Sequence, residues 1–423
     1  MTFFPGRKPA QIFLLALLCS MTAQAQQRVP LTLAEAEDLA LEDEPGYAAL
    51  LARADALGEQ AVVAGQLPDP TMRVGLLNYP INSGGFSTEG MTQAQLGFQQ
   101  RFPSGKSRES STERYESLSL GMNSNADARV RDVRASVRLA WLETYYWQRA
   151  HDIVTESRPF FADLSTVTRS MYSVGRKTQH DVLSAELELS RLDDRLIEIN
   201  RQQMQAKAAL SEWLGNAANR PIAEALPDWE EIPALDAMHA NLASHPVMAA
   251  ADANIAASNA GVTFAEEKKK PGWALDLGYG YREGYLANGE PRSDFVSLSV
   301  TMDLPFFGKN RQDRTLAAAL RDRSASQYEK TELLRRLTSQ LDSEYARWQD
   351  LSRRVALFES EILELSDSQA QAALLAYQSE AGDFADVMRG YIDDLNTRLD
   401  HVRLQVERGQ SYAALANLGG LSQ

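Results

Sequence analysis

Cysteine is all but absent from this sequence: Cys19 is the only one in 423 residues. That excludes a disulfide framework and any thiolate metal cluster. Long apolar runs are missing as well, and no stretch past the N-terminus approaches the roughly 18–20 residues of a membrane helix. The exception begins with Arg7-Lys8, continues through an apolar core at Ile12–Leu18 and ends at Ala23-Gln24-Ala25. A basic start, a short apolar middle and a small-x-small end describe a secretory signal over residues 1–25, cleaved after Ala25. Cys19 follows the bulky Leu18, a poor context for lipidation, and leaves with the signal. A basic surplus is lacking too. The formal net charge of −14 argues against nucleic acid as a partner. His151, His180, His239, His245 and His401 are scattered with no pair at ligand spacing, so no metal site is expected. The eleven methionines are dispersed. No glycine-rich phosphate loop follows a strand, and no nucleophile–base set stands out. These absences predict neither an enzyme nor a cofactor.

What is present is a repeat with a spacing of about 205 residues. Tyr172, Gly175, Arg176, Thr178, Asp181, Val182 and Leu183 find an echo in Tyr377, Glu380, Gly382, Asp383, Asp386, Val387 and Met388. A second echo sets Pro103, Gly105 and Lys106 against Pro305, Gly308 and Lys309. Each copy reads as helix, two strands, a very long helix, a turn and a shorter helix. The first copy covers 26–214 and the second 236–423, with a proline-bearing connector at 215–235. Helices are expected over Leu33–Gly65, Lys106–Ser173, Thr178–Leu214, Asp236–Ala265, Asn310–Gln378 and Phe384–Leu418, with turns at 172–181 and 377–386. At about 1.5 Å per residue the Lys106–Ser173 helix would span on the order of 100 Å. Two shorter helices end to end would match it.

Four segments, at about 71–79, 92–102, 273–285 and 295–304, alternate with period two, the strand signature. Trp273, Leu275, Leu277, Tyr279 and Tyr281 share one parity. Val296, Leu298, Val300 and Met302 do likewise, as do Leu96 and Phe98, and Met72, Val74 and Leu76. Arg73, Arg101 and Asp276 fall on the opposite parity. A water-soluble sandwich would alternate in the same way. The polar helices around these hairpins offer no apolar surface to cover them, however, and the segments have about the length of tilted membrane strands. Tyrosine and tryptophan cluster toward their ends, as at an interface with lipid. Four strands cannot close a barrel, and an open edge in lipid leaves backbone groups unsatisfied. Two copies would give eight strands and a filled interior, while three would give twelve and a conduit.

The two Tyr-to-Val turns and the Pro…Gly-Lys junctions resemble the TolC-like outer membrane efflux family across nearly the whole mature chain. The resemblance implies a mostly α fold with a small membrane β part: a homotrimer in which four strands per protomer build a 12-stranded barrel on a long α-helical periplasmic barrel. It implies an exit duct in the outer membrane. A periplasmic adaptor would join the duct to an inner-membrane transporter, most simply of the resistance-nodulation-division type. By the same resemblance Tyr172, Gly175, Arg176, Asp181, Tyr377, Glu380 and Gly382 lie at tips that meet the adaptor, and Asp386, Asp383 and Arg389 lie at a pore constriction. Arg389 departs from the family's paired aspartates, and Glu380 stands where the first copy has glycine. Asp181 also reads as a capping residue for Thr178. The acidic balance and Gly382-Asp383-Phe384 lean toward heavy-metal export. The reading from a different class is a soluble periplasmic coiled-coil scaffold.

Overall fold

The computed structural model describes residues 30–229, 231–379 and 381–419. The expected signal segment and Glu380 lie outside them. The chain forms two compact units, and each draws on both repeats. One comprises Gly46–Ala128 and Pro246–Arg335. The other comprises the described parts of Met1–Pro45, Arg129–His245 and Arg336–Gln423.

Three of the expected helices are divided. Leu33–Gly65 becomes α1 (Leu33–Glu42) and α2 (Pro45–Gly65). The second repeat opens likewise with α5 (Leu235–Leu242) and α6 (Pro246–Glu267). A proline begins the later helix in both cases. It has no N–H to continue the preceding helix, and its fixed φ suits a first helical turn. Helix α3 runs unbroken over Ser107–Ser173 with Pro159 inside it, and α4 covers Gln179–Leu214. In the second repeat the matching long helix is interrupted. After α7 (Gln312–Leu357) comes a π-helical turn at Phe358–Ile362, then α8 (Leu363–Gln378) and α9 (Phe384–Gly419). His401 braces this turn from α9: its ring stacks on Phe358, and its Nε2 lies 3.2 Å from Glu359 Oε1.

The first unit holds β1 (Thr71–Leu77), β2 (Gln93–Phe102), β3 (Trp273–Tyr281) and β4 (Phe295–Met302). They form one antiparallel sheet in the order β1-β2-β3-β4. The central β2–β3 pair joins the repeats, and β1 and β4 are its edges. The helices of this unit pack through small residues. Ala54, Ala61, Ala257 and Ala260 are buried, and Ser119 Oγ donates to the Ala54 carbonyl at 2.8 Å. A Cβ on Gly121 would already stand 3.4 Å from Ala253 Cβ.

The second unit has the large side chains. Trp141, Leu142, Phe161, Leu210 and Ile222 are fully buried there. The connector between the repeats is fastened to the chain ahead of α1: Leu31 pairs with Ile222 in a parallel bridge, and Trp141 Nε1 donates to the Leu31 carbonyl at 3.1 Å. Arg220 clamps Glu35 with two bonds of 2.7 and 2.9 Å.

Candidate functional site: the strand faces and the helical turns

Strand register decides which side chains share a face, because a slip of one residue would exchange the faces. Met72 pairs with Phe98, Phe98 with Leu277 and Leu277 with Leu298. Val74, Leu96, Tyr279 and Val296 make the next such row, so one face is apolar across all four strands. It is also uncovered: Val74 is 72% and Leu298 69% exposed. The opposite face is polar. Arg73, Gly97, Gly278 and Ser297 form one row, and Thr71, Gln99, Asp276 and Ser299 another. The Asp276 carboxylate accepts from Gln99 Nε2 (2.8 Å) and Thr301 Oγ1 (3.3 Å), so it is held by neutral donors.

The hairpin loops are tied to each other. Arg292 Nη1 donates to the carbonyls of Ser87, Glu89 and Glu283 at 3.1–3.2 Å. Arg282 lies on the Phe295 ring and reaches the Gly90 carbonyl at 3.1 Å. At the other end of the sheet, Glu267 at the end of α6 accepts from the Lys106 backbone N–H (2.7 Å) and Lys270 Nζ (2.6 Å). Lys270 and then the Lys106 N–H hold the Glu267 carboxyl below the usual carboxylate range.

The two expected turns lie in the second unit and differ in construction. Gly175 ends α3 with φ +73°. Its N–H donates to the Tyr172 carbonyl and the Arg176 N–H to the Met171 carbonyl, each at 2.9 Å. This left-handed closure suits glycine. Thr178 then caps α4. Asp181 N–H donates to Thr178 Oγ1 at 3.3 Å, and Asp181 Oδ2 accepts from the Thr178 N–H at 2.9 Å. Burial pushes the Asp181 carboxyl up, but the Thr178 bonds, helped by Lys177 and His180, leave it below its ordinary value. The geometry thus gives Asp181 the capping role.

In the second turn Ala381 N–H donates to the Ala376 carbonyl at 2.9 Å. Gly382 is needed for closeness, since a Cβ there would stand 3.0 Å from Ala376 Cβ and 3.2 Å from backbone atoms. The repeated tyrosines also part ways: Tyr172 is 46% exposed, whereas Tyr377 is 7% exposed. Tyr377 OH bonds Met171 Sδ at 3.6 Å, its ring meets Phe384 edge-on, and Lys177 Nζ sits 4.2 Å above it. Tyr377 therefore ties the two turns together from within. Asp383 is exposed, and its carbonyl accepts from the Asp386 N–H at 3.2 Å. Arg389 Nη1 lies 3.4 Å from Asp386 Oδ1, so the aspartate carries a counter-charge on its own helix.

Residues 237–421 match the sequence profile of the family described as outer membrane efflux protein. No curated protein sequence matches the chain. Its fold is that of solved outer-membrane channels. It is similar to VceC from Vibrio cholerae at 17% identity, covering 92% of this chain and 96% of that one with a TM-score of 0.77. A CusC structure, described in terms of transmembrane channel formation, matches at 15% identity, 93% of each chain and a TM-score of 0.78. The MtrE channel of Neisseria gonorrhoeae in its open state matches at 17% identity, 92% of this chain and 88% of that one, with a TM-score of 0.73.

The fold also joins residues that spacing did not reveal. Phe160 stacks on Tyr391 at 3.8 Å, and Arg195 Nη1 donates to Asn396 Oδ1 at 2.8 Å across the repeats. A cavity of about 730 Å³ opens between the turns over Phe160, Val167, Met171, Leu374 and Tyr377, with Asp163, Arg176, Lys177 and Asp383 also lining it. Arg176, Tyr377 and Asp383 are expected at the turns from the sequence, whereas Phe160, Asp163, Val167, Met171, Leu374 and Lys177 are not. Among the described residues no helix is long and apolar enough to cross a membrane, and no three His, Cys, Asp or Glu side chains are grouped to hold a metal ion.

Proposed function

We propose that the chain is one protomer of a homotrimeric exit duct in the outer membrane. Solute handed over by an inner-membrane transporter through a periplasmic adaptor would pass along it by diffusion. The observation that carries this reading is the apolar strand face, continuous across four registered strands and left uncovered between two open edges. In water such a face is an aggregation hazard, and in lipid the open edges leave backbone groups unsatisfied. Joining β1 of one copy to β4 of the next removes both problems, and three copies give a barrel wide enough to conduct. The helices would extend into the periplasm with the two turns at the adaptor end. There the cavity between the turns supplies an apolar groove with charged residues around it.

Within this reading Tyr172, Arg176 and Gly382 lie at the adaptor surface, whereas Gly175 and Asp181 shape it and Tyr377 supports it from inside. Asp386 would line the constriction, with Asp383 and Arg389 beside it. The decisive experiment combines membrane fractionation with the mass of the detergent-solubilised particle. Outer-membrane material with the mass of three protomers is the expected result. A monomer in the soluble periplasm would overturn it and favour the coiled-coil scaffold.

A further inference from the structure

The chain has 43 lysines and arginines against 57 aspartates and glutamates, yet its sheet ends on a cavity with the opposite balance. This cavity, about 670 Å³, opens at the base of the polar strand face, where Arg101, Ala274 and Thr301 form the last row. Arg101, Lys268, Lys270 and Arg311 line it, and Asp303 is the one carboxylate among its lining residues. Lys270 is engaged by Glu267, just as the neighbouring Lys269 is engaged by Asp313. Among the described residues the other three cations have no ion-pair partner. Arg101 Nε meets only the Gln99 amide oxygen at 3.4 Å, and Lys268 rests on the Phe264 ring.

A cavity that gathers unpaired cations in an acidic chain raises the local concentration of anions. Apolar side chains share the lining with neutral polar ones. Phe307 is 87% exposed beside Leu304, and Trp273 stacks on Phe102 at 4.0 Å. Gln312, also in the lining, has a buried Oε1 with no hydrogen-bond partner. The volume lies in the range that holds a small organic molecule.

We propose that this cavity binds amphipathic organic anions. The head group, a carboxylate, sulfonate or phosphate, would lie among Arg101, Lys268 and Arg311. The apolar body would lie against Phe307 and Leu304, and a ligand hydroxyl or amide would donate to Gln312 Oε1. Guanidinium groups suit the planar or forked oxygens of such heads. The proposal deepens the channel reading and rests on it for one consequence: anionic amphiphiles become the cargo class that pauses where the strands meet the helices. Binding there must be weak enough to release the cargo again.

The test is isothermal titration of the full-length, detergent-solubilised protein with 2-naphthalenesulfonate and, separately, with the cation 2-naphthylmethylammonium. Saturable binding of one sulfonate per chain is expected, weakened by added salt, with no uptake of the ammonium ion. Arg311→Gln should weaken sulfonate binding about tenfold, as loss of one charge-assisted bond does. Adding Lys268→Gln should weaken it further. Asp303→Asn, which removes the competing carboxylate, should tighten it and guards against a variant that merely misfolds. Equal binding of both probes, or sulfonate binding unchanged in the double variant, overturns the proposal. A trimer that binds no sulfonate removes this inference alone, whereas a sulfonate-binding monomer removes the channel reading alone.

Discussion

Gly105 and Gly308 occupy matching places in the repeated Pro…Gly-Lys junction, but only the first is constrained. Gly105 has φ +47°, and a Cβ on it would sit 1.9 Å from Glu267 Oε2, whereas Gly308 has open space. Gly105→Ala should therefore lower the thermal midpoint by several degrees in circular dichroism, with Gly308→Ala within error of the parent. Glu267 carries a pH dependence with a definite sign. Its carboxyl is held below the ordinary value in the folded chain, so its contribution is full above the unfolded-state pKa and is lost as pH falls through the folded one. Glu267→Gln should lower the melting temperature at pH 7, and the difference from the parent should close on acidification to pH 3. At the turns, Asp386 and Arg389 answer each other's charge. If the pair lines a pore, divalent-cation block in planar bilayers should deepen in Arg389→Ala and vanish in Asp386→Ala. Block that ignores both substitutions would remove Asp386 from the constriction.

Among the elements, the sheet was the most legible in the sequence. Period-two alternation fixes the parity of every side chain, so Arg73, Arg101 and Asp276 could be assigned to the polar face before any coordinates. Lysine substitutions test that assignment. Val74→Lys and Leu298→Lys should each cost about 2–4 kcal/mol in lipid and deplete the outer-membrane fraction. Ser299→Lys, on the polar face, should leave the yield unchanged. Helix breaks were harder to see. Pro45 and Pro246 are plain signals, but alanine-rich sequence on both sides hid the interruptions. Pro159 left α3 unbroken. The π-helical turn at Phe358–Ile362 has no residue signature; it depends on what α9 presents, including His401. The tyrosine echo misled for a related reason. Identical spacing says nothing about burial, and Met171 and Phe384 enclose Tyr377 while Tyr172 is left half-exposed.

At the scale of the whole molecule, the repeats and the compact units are different divisions of one chain. Each unit takes helices from both repeats, and β2 and β3 pair one repeat with the other. Neither repeat owns a complete sheet, so expression of residues 236–423 alone should give insoluble material, while the two halves expressed together should restore a soluble-in-detergent particle. Recovery of a folded second half by itself, with native-like circular dichroism, would contradict this. The tie between the hairpin loops has a consequence of another kind. Arg292 grips main-chain oxygens at Ser87, Glu89 and Glu283, atoms that every amino acid supplies. Side chains at those three positions can therefore be exchanged without loosening the tie, so long as Arg292 itself is kept.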